Sequence, residues 1–339
     1  TWGVDIPEVR FDFGKVMERK NAMIAEFAEY RREQLSDGRF DFIRARAEFS
    51  DAHTLLLSDG RSISAGHFVV SVGSRISPSP LPDLDEIDCI TSDDALQLKT
   101  LPRSIIVLGG GPIALEFAQF FARFGSKVTV IQRSPQILTG FDVDAANSLT
   151  RAFANENIEV IAGSRILSAS REDGGKVVRI QRQGSEKSVV ADEVFFALGR
   201  TPNTEPLKLG LAGVTVDSKG RIETGPAMQT SAPHIYAAGD CTGPHEIVHV
   251  AIQQGEIAAH NIIKPDSQRE IDYRVLSSVV FTDPQVACVG LSEKQALARQ
   301  TPFLAASYPF ADHGKSLIME AKEGFVKLLA HQESGEIIG

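Results

Sequence analysis

The chain has 339 residues, of which 42% are hydrophobic and 23% charged, and its formal net charge is -9. These proportions suit a globular α/β protein of two or three domains with sizeable cores. The acidic balance, without a basic stripe, argues against a nucleic-acid partner. No apolar run reaches membrane-spanning length and no signal peptide is apparent, so no membrane association and a cytoplasmic location are expected.

In chain order, Phe13 to Leu35 reads as a charged amphipathic helix, with Val16, Met17, Ile24, Phe27 and Tyr30 among its apolar positions. Residues 40 to 72 alternate as strands do, with turns at Ser58-Asp59-Gly60 and near Gly66. Ser77 to Pro82 is a proline-rich connector. Residues 104 to about 225 form a nucleotide-binding unit that includes a polar hairpin at Asp173-Gly174-Gly175 and a buried strand from Glu193 to Leu198. Residues 230 to 263 hold a further strand, a glycine turn and a helix, and after Pro265 the chain is again strand-rich. Cys89, Cys241 and Cys288 are widely separated, and the eight histidines are scattered. The cysteines therefore read as reduced structural residues, and no metal site is indicated.

The most informative stretch runs from Val107 to Arg133, VLGGGPIALEFAQFFARFGSKVTVIQR. An apolar strand meets Gly109, Gly110 and Gly111, then a helical pattern with Pro112, Ile113 and Ala114 in its first turn, then Gly125 and a second strand. This is a βαβ-type unit opened by GxGxxA. Gly109 permits the tight turn, Gly111 admits a pyrophosphate to the backbone, and Ala114 allows helix and strand to pack closely. The phosphates would lie over the helix N-terminus, where unpaired N–H groups and the helix dipole favour anions.

In NAD-binding units an acidic residue about 20 positions past the first glycine takes the ribose hydroxyls. Here the corresponding strand end is the neutral Gln132, followed by Arg133. A guanidinium there can bind a 2′-phosphate that a carboxylate would repel, so NADPH is expected in preference to NADH. A second pattern, His234 to Asp240 (HIYAAGD), ends an apolar strand in a glycine and an acid. By chemistry alone it is only suggestive of a cofactor's hydroxyls, since such turns close many strands.

The two patterns in this order resemble those of the flavoprotein disulfide reductases, the family of lipoamide dehydrogenase, glutathione reductase and mercuric reductase. SDGRSISAGHFVVSVGSRISPSP (58 to 80), TSDDAL (91 to 96), ALGRTPNT (197 to 204), VVFTDPQVACVGLSEKQA (279 to 296) and GFVKLLAHQESGEIIG (324 to 339) extend the resemblance over nearly the whole chain. The nucleotide unit and the FTDPQVA segment look most like the mercuric reductase branch. The fold implied is α/β, with a Rossmann-like NAD(P) domain (104–225) inserted in a partial FAD-binding domain (1–103 and 226–271). An incomplete α+β dimerisation domain (272–339) follows.

The resemblance further implies two cofactors, FAD and NADP. Asp240, beside Gly239, would hold the ribityl chain of FAD, and Gly73 would lie where FAD enters. Backbone N–H groups near His249, Val250 and Ala251 would face the flavin pyrimidine edge. Glu116 would lie near the nicotinamide, with Gly199 and Arg200 lining the NADPH cleft. Pro112 stands where the family often has an aromatic gate.

The family's N-terminal FAD glycine motif and redox cysteine pair are not matched in these residues, nor is its C-terminal His-Glu pair. The opening TWGVDIPEVRFDFGKVMERK resembles family sequence shortly after those cysteines. The chain is therefore expected to be an internal fragment of a homodimeric enzyme acting on a small-molecule substrate. The whole enzyme would pass hydride from NADPH to flavin, then to the cysteine pair and on to a disulfide or thiol-reactive substrate such as lipoamide or Hg(II). Two other readings share the fold: a flavin NAD(P)H oxidase or quinone reductase, and a non-catalytic NADPH-binding product.

Overall fold

The computed structural model describes residues 3–243 and 245–339. Thr1 and Trp2, which begin the stretch matched to the region after the redox cysteines, lie outside the described residues. Helix α1 spans Phe13–Leu35, opened by the Asp12 carboxylate, which accepts the Lys15 N–H at 3.2 Å. Its limits are those expected, but its apolar stripe is largely uncovered: Met17 is buried, while Met23, Ile24, Phe27 and Tyr30 are exposed.

Strands β1 (Ala47–Asp51), β2 (Thr54–Leu57) and β3 (Ser62–Ser64) form an antiparallel meander, followed by β4 (Phe68–Val70) and β5 (Ser74–Ile76). The proline-rich connector leads into the short helices α2 (Pro82–Glu86) and α3 (Ser92–Ala95), the latter started by a Thr91–Asp94 capping box.

The nucleotide unit follows with β6 (Ser104–Leu108), α4 (Pro112–Arg123), β7 (Lys127–Ile131), α5 (Val143–Asn155) and β8 (Glu159–Ile161). Three antiparallel strands, β9 (Ser164–Glu172), β10 (Gly175–Arg182) and β11 (Ser185–Ala191), precede β12 (Glu193–Phe196). The parallel sheet is ordered β12-β6-β7-β8. Its strands are apolar on both faces because both are covered. Ile105, Val107, Val128 and Val130 pack with Ala114, Leu115, Ala118, Phe121, Leu149 and Phe153, whereas Ile106, Leu108, Ile131 and Ile161 pack with Ala169, Val178, Ile180 and Val189. Helices thus cover one face and the antiparallel sheet the other.

Strand β13 (Arg200–Pro202) pairs antiparallel with β5, and β14 (Ile235–Ala237) pairs parallel with β4. A three-stranded antiparallel sheet leading into a parallel strand therefore occurs twice, as β1–β3 into β4 and as β9–β11 into β12. Helix α6 (Val248–Ile263) packs Val250, Ile257 and Ala258 with Tyr236 and Met228. The remaining chain forms the hairpin β15 (Ser277–Val280) and β16 (Val286–Val289), helix α7 (Glu293–Ala298), strand β17 (Phe303–Pro309), helix α8 (Gly314–Ile318) and strand β18 (Phe325–His331), which pairs with β17. Lys327 ties this region to the nucleotide unit, meeting Asp142 at 2.9 Å, Asp144 at 2.7 Å and Glu293 at 3.0 Å. Among the described residues no helix is long and apolar enough to cross a membrane.

Candidate functional site

The glycine turn sits at the carboxyl ends of β6 and β7, where open parallel sheets hold ligands. Gly109 has φ +117°, and a Cβ there would fall inside the Ala197 carbonyl, 3.1 Å from its carbon. The residue is thus required both by conformation and by the close approach of the chain leaving β12. A Cβ on Gly110 would stand 3.1 Å from the side chains of Gln132 and Ile137, whereas one on Gly111 would meet nothing within 4 Å. Gly111 opens toward space. It is the N-cap of α4, and Pro112 follows at the first helical position. Pro112 has no N–H, so the unpaired amides of this first turn are those of Ile113 and Ala114. Ala114 is fully buried against the sheet, as its close-packing role requires.

At the end of β7, Gln132 packs over Gly110 and donates to the Gln136 carbonyl at 3.4 Å. Arg133 is exposed, and among the described residues it has no ion pair. The chain leaving β8 is laddered onto this corner through Gly163 N–H to Ser134 O (2.8 Å) and Ser164 N–H to Gln132 O (3.0 Å).

Glu116 is neither a free surface carboxylate nor alone in the cleft. Its Oε1 accepts the Phe281 N–H at 2.8 Å, from the turn between β15 and β16. Gly199 has φ +120° and its carbonyl accepts the Ser77 N–H at 3.1 Å. Arg200 turns toward the second glycine site. It donates through Nε to Ser74 Oγ (2.7 Å) and through Nη2 to the Ser74 carbonyl (2.9 Å), and Ser74 Oγ in turn donates to Asp240 Oδ2 at 2.7 Å. Gly73, immediately before Ser74, has φ +65°. The chain leaving the nucleotide unit and the HIYAAGD motif therefore meet through one arginine and one serine.

Gly239 adopts φ +80°, with its N–H held by Gln254 Oε1 at 2.7 Å. Gln254 is fully buried and donates its Nε2 to the Tyr273 hydroxyl at 2.7 Å. Burial, reinforced by the charge of Asp240, pushes the Glu246 carboxyl above its ordinary value. Helix α6 begins at Val248, so the amides it leaves unpaired are those of Val248, His249 and Val250. The Ala251 N–H is already spent on the Ile247 carbonyl at 3.0 Å, which corrects its expected place in that set. A concavity of about 640 Å³, lined by Arg221, Met228, Thr242, Gly243 and Tyr273, lies beside the Asp240 loop and not over the Gly109 turn.

These groups suit a flavin: a strand-end carboxylate for sugar hydroxyls, a left-handed glycine that keeps side-chain bulk away, and a helix N-terminus for developing negative charge. Sequence reasoning missed Ser74, Gln254, Tyr273 and Phe281, whose importance is visible only from distant partners. Among the described residues no cluster of His, Cys, Asp and Glu could hold a metal. Burial pushes the Cys89 thiol up to about 11 and also raises Cys241, which makes both poor nucleophiles at neutral pH.

Residues 12–255 match the pyridine nucleotide-disulphide oxidoreductase family, and residues 276–339 match its dimerisation domain. A dihydrolipoyl dehydrogenase of Geobacillus stearothermophilus is 33% identical over 341 residues, covering 99% of this chain and 72% of that protein. A mercuric reductase of Staphylococcus aureus is 31% identical over 329 residues, covering 97% of this chain and 60% of that protein. The HOCl-induced flavoprotein disulfide reductase RclA of Escherichia coli superimposes with a TM-score of 0.85 at 25% identity, over 97% of this chain and 75% of that one. Together with the two glycine turns and the parallel sheet between its covering layers, these likenesses place the chain in the pyridine nucleotide-disulphide oxidoreductase family, whose enzymes use FAD and a pyridine nucleotide.

Proposed function

We propose that the chain forms the NADPH-binding and part of the FAD-binding machinery of an NADPH-dependent disulfide oxidoreductase. The observation that carries this reading is the Arg200–Ser74–Asp240 chain of hydrogen bonds, which joins the exit of the nucleotide unit to the strand-end carboxylate of the flavin set. In this reading residues 104–225 hold the dinucleotide, 1–103 and 226–271 contribute to the flavin, and 272–339 contribute to a homodimer interface. The whole enzyme is cytoplasmic and reduces a disulfide or thiol-reactive small molecule, with lipoamide and Hg(II) as the substrate classes suggested by the relatives' names.

When bound, FAD supplies two-electron redox chemistry. The residues of this chain bind, orient and shield. The amides of Gly111, Ile113 and Ala114 receive the dinucleotide pyrophosphate, with Gly109 and Gly110 shaping the turn beneath it. Glu116 faces the nicotinamide end, and Gly199 keeps the cleft wall free of side-chain bulk. Asp240, steadied by Ser74 and Arg200, accepts from the ribityl hydroxyls. Gly73 and Gly239 allow close approach, and the amides of His249 and Val250 face the pyrimidine edge.

Arg133 supports NADPH over NADH because its guanidinium is exposed at the end of β7, beside the neutral Gln132, and has no ion pair among the described residues. Charge-assisted hydrogen bonds of this kind contribute about 1.5–3 kcal/mol. Arg133→Glu should therefore weaken NADPH at least about tenfold in a fluorescence titration, with a much smaller change for NADH. Equal losses for the two ligands would refute the preference, and failure of the unaltered chain to bind either would sink the dinucleotide reading itself.

A further inference from the structure

Helix α4 carries Glu116, Gln119 and Arg123 at spacings of three and four, hence along one face. All three grip the turn between β15 and β16. Glu116 accepts the Phe281 N–H. Gln119 Oε1 accepts the Asp283 N–H at 2.7 Å, while its Nε2 donates to the Asp283 carbonyl at 2.8 Å and to Glu156 Oε1 at 2.8 Å. Arg123 donates to the carboxylates of Asp283 and Glu156, each at 2.7 Å.

Gln119 is 4% exposed. Its primary amide closes both backbone groups of a single residue, as a neighbouring β-strand would, and its remaining donor is also used. The backbone of Asp283 is thereby fixed two residues beyond the amide that holds Glu116. A glutamate has several rotamers. The Phe281 N–H holds Glu116 in one of them, and the turn that presents this amide is held two residues further on by the Gln119 clasp and by Arg123 on the Asp283 carboxylate.

We propose that Gln119 is a positioning residue for Glu116, and through it for the nicotinamide end of the bound dinucleotide. The proposal rests on the reading that Glu116 faces the nicotinamide. Without the clasp, residues 281–283 drift, Glu116 loses its single orientation and the nicotinamide loses its partner. The adenosine end, held at the Gly111 cap of α4 and at Arg133 beyond β7, does not depend on residues 281–283.

The test compares two ligands on the 339-residue chain: NADPH, and 2′,5′-ADP, which has the adenosine and phosphates but no nicotinamide. Gln119→Ala should weaken NADPH about three- to tenfold, the loss of roughly one hydrogen bond's contribution, while 2′,5′-ADP binding stays the same. Glu116→Ala should show the same selectivity, and the double variant should add little to either single one. Gln119→Met fills the same space without the amide. It serves if the alanine variant folds poorly, and should show the same selective loss together with faster exchange of the Phe281 amide.

Equal weakening of both ligands would make Gln119 a general support of the fold and overturn the proposal. Unchanged binding of both ligands in either Gln119 variant, with Glu116→Ala still selective, would overturn the positioning role and leave the reading of Glu116 standing. A Glu116→Ala variant that binds both ligands like the unaltered chain would remove that reading, and the proposal with it.

Discussion

Gly109 and Gly111 are both glycines of the same turn, yet the structure assigns them opposite sensitivities. Placing alanine at Gly109 puts a methyl group inside the Ala197 carbonyl at a backbone φ of +117°. Holding a non-glycine residue in such a conformation costs about 1–3 kcal/mol. Relief of the overlap also requires β6 and the end of β12 to separate, which endangers the Ala197 N–H to Leu108 O bond of 3.0 Å, a further contribution of about 1 kcal/mol. Gly109→Ala should therefore lose roughly 2–4 kcal/mol of stability, a drop in melting temperature on the order of 3–6 °C for a chain of this length. At Gly111 the backbone φ is -85° and an added Cβ meets nothing within 4 Å. Gly111→Ala should leave the melting temperature within about 2 °C of the parent, since surface changes usually stay within 0.5 kcal/mol. Its methyl group would instead occupy the space a pyrophosphate needs, so binding of NADPH should fall at least about tenfold. Calorimetric melting and a ligand titration on the two variants decide the matter. A Gly109 variant that melts like the parent would refute the steric argument, and a Gly111 variant that binds normally would show that the pyrophosphate does not cross that residue.

Two further outcomes follow from the charges and the thiols. Burial opposes the charged forms of Asp142 and Lys327, but the Lys327 ammonium and the Glu293 and Lys294 amides outweigh it for Asp142, and three carboxylates outweigh it for Lys327. The Asp142 carboxyl is thus held below its ordinary value, so its contribution is present above about pH 4 and disappears as pH falls through the lowered value. Lys327 is held above its ordinary value, and its contribution is present below about pH 10 and disappears as pH rises through the raised value. Lys327→Met should cost about 1–3 kcal/mol at pH 7 in urea unfolding, since Asp144 and Glu293 are partly exposed and solvent screens their share. Its deficit should shrink below about pH 4, and a gap independent of pH would contradict the electrostatic account. Cys288 is exposed while Cys241 is buried and Cys89 partly so. A thiol reagent at neutral pH should therefore label Cys288 quickly and the other two only after denaturation, and rapid native labelling of Cys89 would contradict its burial.

Helix α1, the β6–α4–β7 unit and the polar hairpin of β9 and β10 were legible because each follows from local signals: apolar spacing near 3.6 or 2, and glycines where the backbone turns. The start of α6 was displaced by a single turn position, which removed Ala251 from the free amides because the true cap is Ile247. Periodicity likewise located α1 without revealing that Ile24, Phe27 and Tyr30 remain exposed. A stripe shows which face seeks cover and says nothing of what provides it.

By itself the sequence determined the glycine turn, the neutral-then-basic end of β7 and the strand-end carboxylate, together with their order along the chain. Only the tertiary structure decided that Arg200 reaches Asp240 through Ser74, across separations of 126 and 166 residues, and that Gln119 clasps Asp283, 164 residues away. The reason is physical. A turn or a helix start is specified by the few dihedral angles and side chains next to it, whereas a hydrogen bond between distant segments exists only after packing has brought them within about 3 Å. The glutamine that makes such a bond carries no local sign of its partner.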